Sequence, residues 1–140
     1  ASELLHRLNH GGTMPMMTSC SPAWIKYVEQ FYPEFMNNLS TCKSPQQMLG
    51  AIVKSFYARR TGIDPDTIVS IAVMPCTAKK FEAQRPELSH DGRQDVDAVI
   101  TTRELARLLR MRGINLDEMP AEYADSPLGE RSTAGKIFGA

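Results

Sequence analysis

Apolar side chains recur along this chain at two spacings, and the spacing predicts which segments form helices and which form strands. Apolar residues three and four positions apart favour helices over five segments: 2–8, 22–31, 34–39, 45–61 and 102–113. Short runs of β-branched and other apolar residues favour strands over 14–18, 69–74 and 96–101. Their alternation predicts an α/β domain in which a mainly parallel sheet is flanked by helices. Residues 115–135 follow neither pattern and are predicted to be mostly loop.

Capping residues, glycine and proline mark where the predicted helices begin and end. Ser21–Pro22 and Ser44–Pro45 each place a capping serine before a proline at the first helical position. Ser2 and Thr102 are predicted to cap the first and last helices. The last helix is expected to turn three leucines inward: Leu105, Leu108 and Leu109.

The strand predicted over 69–74 is almost continuously apolar, which is typical of a strand buried on both faces. Pro75 ends it because proline has no N–H for the ladder, and Cys76 follows directly. Cys20 follows the strand predicted over 14–18 in the same way. Right-handed crossovers bring the carboxyl ends of parallel strands to one edge of a sheet, where ligands bind, so the two thiols are expected to converge there. The alternative is a pair of buried, inert cysteines.

Composition and charge narrow the class of protein. A chain of 140 residues suits one domain, 1–140. The charges of 16 basic and 16 acidic side chains cancel, so the net charge does not predict binding to nucleic acid. No apolar run reaches the roughly 20 residues that a membrane span needs. Three cysteines are too few for a disulfide framework, which predicts a reducing, cytoplasmic compartment with free or metal-bound thiols. The start without Met and the apolar end at 137–140 predict a fragment.

Two cysteine segments resemble the first two signature motifs of the [FeFe] hydrogenases. They are Thr-Ser-Cys-Ser-Pro-Ala-Trp at 18–24 and Met-Pro-Cys-Thr-Ala-Lys-Lys-Phe-Glu at 74–82. The likeness extends over 40–47, 85–87 and 95–105 and so covers essentially the whole chain. It implies the first lobe of the catalytic domain of an enzyme, expected in an anaerobic bacterium, that interconverts protons, electrons and H2. A periplasmic location stays open beside the cytoplasmic one.

The resemblance implies an H-cluster, a [4Fe-4S] cubane joined to a di-iron unit that carries CO and cyanide. Carried over residue by residue, Cys76 matches a cubane ligand, Cys20 matches the thiol that passes protons, and Lys79 matches the lysine that hydrogen-bonds a cyanide. The residues that match the packing around the di-iron unit are Met74, Pro75 and Gln46. The residues that match the proton path leading to the cysteine are Glu3, Ser40 and Glu82.

The chemistry of these side chains agrees with the implied roles. An ammonium offers three donors to an anionic cyanide, and carboxylates and hydroxyls behind a thiol continue a proton relay. Each also has a simpler interpretation from the residues alone. Glu3 suits the first turn of a helix through the helix dipole, Ser40 suits a cap or loop, and Lys79 suits a solvated surface.

The chain departs from the family at Ser21, where the hydrogenases usually carry a second cysteine that ligates the cubane. A serine alkoxide is a harder ligand than thiolate and suits iron–sulfur clusters poorly. Three alternatives stay open: Ser21 ligates through oxygen, Cys20 takes over ligation, or the site is altered in a natural subgroup. Cys42 matches no ligand position and is expected to be ordinary packing.

The chain also lacks the third cysteine motif, which supplies the remaining cubane ligands in the family. A [4Fe-4S] cluster normally takes four thiolates, so the isolated fragment is expected to hold no cluster and to be inactive. Its implied partners are the remaining half of the domain and ferredoxin or other electron-carrier domains, NAD(P)-linked systems included. An exposed apolar face predicts dimerisation of the fragment. The alternative function is a hydrogenase-like iron–sulfur protein used in cluster assembly or sensing.

Overall fold

The computed structural model describes residues 1–129 of the chain. Six α-helices and two strands follow in the order α1 (Ser2–His10), α2 (Pro22–Phe31), α3 (Pro45–Ile52), α4 (Ala58–Thr61), β1 (Ile71–Val73), α5 (Ala78–Ala83), β2 (Ala98–Ile100) and α6 (Thr102–Met111). A π-helical turn, Val53–Tyr57, joins α3 to α4. Short 3-10 turns occupy Pro33–Asn38, Pro65–Thr67, Pro86–Leu88 and Leu116–Glu118.

The two strands form a parallel sheet, as the sequence predicts. Ile71 pairs with Ala98 and Val73 with Ile100. Helix α5 lies in the connection between the strands and packs against both β2 and α2. The small core under it joins Ala83, Val96 and Val99 to the half-buried Ala72 and Met74. The α/β prediction is therefore confirmed, with a small sheet that places the end of β1 beside α5.

The strand expected over 14–18 does not form. The structure has a single parallel bridge there, between Met17 and Leu39. The Met17 amide donates to the Asn38 carbonyl, and the Ser40 amide donates to the Met17 carbonyl, each at 2.7 Å. Pro15 has no N–H to extend the pairing toward the N-terminus. The segment is therefore held beside 38–40 without becoming a third strand.

The expectation that β1 is buried on both faces is also wrong. Ile71 is 58% exposed and Val73 is 42% exposed, whereas Ala72 points toward the core. Continuous apolar sequence is typical of a central strand covered on both sides. Within residues 1–129 only one face is covered, so half of the apolar strand meets solvent.

Two of the predicted caps are shifted by one residue. Ser44 caps α3 as expected, accepting from the Gln47 amide. Helix α1 is capped by Ala1 rather than Ser2. Helix α6 is capped by Thr101 rather than Thr102, because Glu104, three positions later, completes a reciprocal capping box with Thr101.

Helix α6 also packs less closely than its pattern predicts. Leu105 and Leu109 are half-buried, but Leu108 is 45% exposed, so the expectation that all three face inward is wrong for Leu108. From the end of α6 to Gly129 the chain is irregular apart from the turn at Leu116–Glu118, which agrees with the predicted loop. The rest of that predicted loop and the apolar end fall within residues 130–140, outside the described part. Across the helices described, none combines the length and the hydropathy needed to cross a membrane.

Gly50 lets α3 approach the segment that leads into β2. A Cβ added at Gly50 would lie 2.4 Å from the backbone carbonyl oxygen of Asp95 and 2.8 Å from a methyl of Val96. Side chains do not tolerate such distances, so the helix or the strand entry would have to shift. The absence of a side chain at this position therefore sets how closely α3 approaches the segment that leads into β2.

We expect Gly50→Ala to destabilise the fold by about 1–3 kcal/mol, the usual cost of overpacking. The sign of the stability change distinguishes this account, because replacing glycine by alanine inside a helix otherwise stabilises the protein by roughly 0.5–1 kcal/mol. Chemical denaturation measures the change. Arg59→Ala, at an exposed position of α4, is the control and should stay within about 0.5 kcal/mol. Unchanged or increased stability of Gly50→Ala would contradict this account of the packing.

Candidate functional site

A buried lysine joins the two cysteine segments. Lys79 lies in the first turn of α5, three residues after Cys76, and its side chain is only 8% exposed. Its ammonium Nζ donates to the backbone carbonyl of Cys20 at 2.7 Å and to the Glu82 carboxylate at 3.0 and 3.2 Å. The interpretation of Lys79 as a solvated cation is therefore wrong. This contact holds the Cys20 loop against α5, the helix that follows Cys76, while the convergence of the two thiols themselves stays a prediction.

Glu82 compensates the lysine charge and is itself held by α3. The two residues are three apart on α5 and so share a helix face. Glu82 is 4% exposed, and the Ser44 hydroxyl donates to its Oε2 at 2.8 Å. The Gln46 amide nitrogen lies 3.5 Å from the same oxygen. A buried ion pair needs such additional hydrogen bonds to offset the cost of removing both charges from water.

Gln46 presents an unmatched polar atom at this place. Its carbonyl Oε1 is buried and has no hydrogen-bond partner within the described residues. A buried polar atom without a partner costs free energy, so its position next to Glu82 indicates a place for a polar ligand atom or water. The buried side-chain nitrogen of Gln47, Nε2, also has no hydrogen-bond partner within the described residues.

The thiols are accessible at the loops beside this network. Cys20, Cys42 and Cys76 are all exposed and unbridged, so the alternative of buried, inert cysteines is wrong. Ser21 caps α2, but its side chain makes no capping hydrogen bond. Across residues 1–129, no three His, Cys, Asp or Glu side chains come close enough together to hold a metal ion. Beside Cys76, Met74 packs half-buried against the core while Pro75 is exposed.

Glu3 and Ser40 form a second polar group. The Ser40 hydroxyl donates to Glu3 at 2.5 Å, and the Thr41 amide donates at 3.1 Å. Arg7, one turn along α1, donates to Glu3 at 2.7 Å and to the Leu39 carbonyl at 2.7 Å. The Ser40 hydrogen bond, followed by that of Thr41, lowers the pKa of Glu3 from 4.5 to about 2. Glu3 is thus an ionised acceptor that fixes the direction of the Ser40 hydroxyl.

The loop that carries Cys20 runs beside the segment that carries Ser40. The bridge at Met17 and Leu39 is parallel, so the residues that follow each stay side by side. The Ser19 hydroxyl donates to the Cys42 carbonyl at 2.6 Å, which continues the alignment. Glu3 and Ser40 are therefore held on the same side of the molecule as the Cys20 loop.

Glu82 and Ser40 line one cavity, whereas Glu3 is not part of its wall. Its wall includes Ser19, Pro22, Ile25, Ser40, Ser44 and Glu82. In the described structure, the hydrogen bonds of Glu82 go to Lys79, Ser44 and Gln46 and not to Glu3 or Ser40. Membership of Glu82 in a proton path with them stays a prediction.

Two residues of the site were missed by the sequence analysis. Arg7 follows Glu3 by four positions, and that spacing of opposite charges on a helix was an available signal. Ser44 was predicted only as a helix cap. Nothing local to Ser44 indicates that its hydroxyl proton reaches a carboxylate 38 residues away.

Comparison with known proteins places these residues in a family context. The sequence model described as "Iron only hydrogenase large subunit, C-terminal domain" matches residues 1–140. Iron hydrogenase 1 of Clostridium pasteurianum is 49% identical over 140 residues, which make up 100% of this chain and 24% of that protein. A cytosolic Fe-S cluster assembly factor of Sclerotinia sclerotiorum is 42% identical over 118 residues, 79% of this chain and 21% of its own length.

A solved structure shows the same fold. An apo [FeFe]-hydrogenase from Chlamydomonas reinhardtii superposes with a TM-score of 0.84 at 45% identity, over 96% of this chain and 34% of that one. The chain therefore spans at most about a third of the length of each of these proteins, between 21% and 34%.

The lowered pKa of Glu3 predicts an acid-sensitive attachment of α1. The folded pKa is about 2 against an ordinary value of 4.5, so the stabilisation is complete above pH 4.5 and is lost as the pH falls toward 2. Glu3→Gln should remove this part of the pH dependence. Unfolding midpoints measured at pH 7 and pH 3 in both proteins test this.

Glu34→Gln is the matched control, since Glu34 is an exposed carboxylate in the turn before Leu39. It should leave the difference between the two pH values unchanged. An equal pH dependence in the unaltered protein and in Glu3→Gln would show that the carboxylate does not hold α1.

Proposed function

The chain belongs to the iron-only hydrogenase large-subunit family, and we propose that it forms the first part of a catalytic domain that interconverts protons, electrons and H2. The matched family region covers all 140 residues. One observation carries the proposal: the buried ammonium of Lys79 is bound to the carbonyl of Cys20 and lies one helical turn from Cys76. A buried ammonium that contacts one cysteine segment and directly follows the other is suited to donate to an anionic ligand held by those segments.

The side chains present fit part of an H-cluster. When bound, the cluster would supply the metal centre at which electrons and protons combine. Lys79 offers a donor suited to an anionic cyanide, and Gln46, Met74 and Pro75 would line the same side. Cys76 would provide one thiolate to the cubane. The ligand set within the described residues stops short of four thiolates, so we propose that the remaining half of the domain completes it and that the isolated chain is inactive.

The chain's own residues can hold and move a proton toward this place. The Cys20 Sγ would accept and release the proton at the exposed loop. The Ser40 hydroxyl donates to Glu3, its oxygen accepts from the Cys42 amide at 3.2 Å, and the second lone pair of that oxygen can accept a proton. Glu3, kept ionised by Ser40 and Thr41, can receive the proton that Ser40 releases. These groups therefore suit a relay between the surface at α1 and the Cys20 loop.

Ser21 bears on how the cluster is held. Its side chain makes no capping hydrogen bond, so the hydroxyl has no competing role in starting α2. Coordination by its oxygen, replacement by Cys20 and a natural subgroup with an altered site all stay open. We propose ferredoxin-like or NAD(P)-linked electron carriers as partners and a reducing, cytoplasmic setting. The exposed face of β1 supports docking of the second half of the domain or, in the isolated chain, dimerisation.

A second candidate function is cluster assembly or sensing without hydrogen chemistry. The 42% identity to a cytosolic Fe-S cluster assembly factor and the presence of Ser21 favour it. The retention of Cys20 and of Lys79 favours the hydrogenase, because a protein without a di-iron unit requires neither a proton-passing thiol nor a cyanide donor.

Anaerobic reconstitution with iron and sulfide tests the proposal. We expect the isolated chain to form no stable cluster by visible absorption and EPR. In a full-length protein that carries this segment, Cys76→Ala should lose the cubane signal. Cys20→Ala should retain it and lower hydrogen turnover by at least about 100-fold, the usual effect of removing a proton-transfer group.

Arg59→Ala, at an exposed position of α4 away from these groups, is the control and should leave both the cluster signal and turnover unchanged. A stable cluster on the isolated chain that depends on both Cys20 and Cys76 would favour the assembly or sensing function instead. Loss of the cubane signal in Cys20→Ala would show that Cys20 has replaced the missing ligand.

A further inference from the structure

We propose that Ser44 and Glu82 are positioning residues that aim the Lys79 ammonium, leaving one of its protons free for the ligand beside Cys76. The inference rests on the function proposed above, in which Lys79 donates to an anionic ligand. It assigns to Ser44 a role beyond capping α3, and to Glu82 a role distinct from membership of the proton path.

The donor count of Lys79 is the first step. An ammonium has three N–H donors and no acceptor. One donor is taken by the Cys20 carbonyl at 2.7 Å. The two Glu82 oxygens, at 3.0 and 3.2 Å, share a second donor, because the oxygens of one carboxylate lie too close together to each take a separate N–H of a tetrahedral nitrogen. Two fixed partners on a tetrahedral nitrogen define the direction of the third N–H. The remaining proton is therefore oriented by these contacts rather than by rotation of the lysine side chain.

Ser44 holds the Glu82 carboxylate, one of the two partners that orient the Lys79 ammonium. Its oxygen accepts from the Gln47 amide, and its proton goes to Glu82 Oε2 at 2.8 Å. An ionised carboxylate only accepts, so the direction of this hydrogen bond is unambiguous. The helix cap holds the serine oxygen, and the serine proton holds Glu82. The start of α3 is thereby coupled to the orientation of an ammonium on α5.

Burial makes the arrangement rigid. Ser44, Lys79 and Glu82 are 2%, 6% and 4% exposed, so solvent cannot replace a lost partner. Hydrogen bonds between charged groups are stronger in such surroundings, and removing one leaves the others misaligned. A residue that orients another near a metal centre typically changes activity by about 10- to 100-fold when it is removed.

The first test uses the full-length apoprotein labelled with nitrogen-15 at lysine. The proton–nitrogen signal of the Lys79 ammonium is identified by its absence in Lys79→Ala. In Ser44→Ala we expect its hydrogen exchange with water to rise by about tenfold or more, as for loss of a hydrogen bond to a charged group. Ser44→Thr keeps the hydroxyl and should restore slow exchange.

Thr101→Ala is the matched control, because Thr101 caps α6 through the same kind of contact, to the Glu104 amide. It should lower the unfolding midpoint, as the loss of a cap does, and leave Lys79 exchange unchanged. If Ser44→Ala does not fold, Glu82→Gln decides: it removes the carboxylate charge while keeping its shape, and it should accelerate Lys79 exchange similarly. Lys79 exchange as slow in Ser44→Ala or in Glu82→Gln as in Thr101→Ala would overturn the inference.

The second readout is the infrared stretch of cyanide in the cluster-loaded protein. Ser44→Ala should shift a cyanide band in the same direction as Lys79→Ala, and Thr101→Ala should not. If Lys79→Ala leaves the cyanide bands unmoved, the proposed function of Lys79 fails, while the exchange measurement on apoprotein still decides the positioning role. If Lys79→Ala shifts the band and Ser44→Ala does not, the positioning inference alone is overturned.

Discussion

The buried ion pair between Lys79 and Glu82 is the interaction on which the site depends. Neither charge can lie in the interior without compensation, since desolvating an unpaired ion costs several kcal/mol. The compensation comes from three separate segments: the Cys20 loop supplies a carbonyl, α3 supplies Ser44, and α5 carries the pair itself. The need to satisfy these two charges therefore brings the two cysteine segments and the start of α3 to one place.

The sheet that supports this arrangement is small. Two three-residue strands suffice because α5 covers one face and α3 packs closely through Gly50. The opposite face carries exposed apolar side chains such as Ile71 and Val73. An exposed apolar strand face is typical of a surface that packs against further protein, in line with the match of this chain to at most about a third of each relative's length.

The site contains two kinds of groups: charged and polar side chains that are already hydrogen-bonded, and thiols that are exposed. Lys79, Glu82, Glu3 and Ser40 have hydrogen-bond partners within the described residues, whereas Gln46 Oε1 has none there and the thiols at Cys20 and Cys76 are exposed. Fixed donors beside exposed thiols suit a place at which a further polar group binds.

The sequence by itself determined the features that depend on neighbouring residues: the places of the two strands, the serine cap of α3, the helix starts at prolines, and the cysteine segments that identify the family. Only the tertiary structure decided which side chains share an environment. Lys79 meets a carbonyl 59 residues away and Glu82 a serine 38 residues away. The shortened strand at β1, the failed strand near Met17 and the burial of Lys79 follow from the same cause. Burial and hydrogen bonding depend on contacts between segments that are far apart in the sequence. The spacing of apolar residues within one segment carries no information on those contacts.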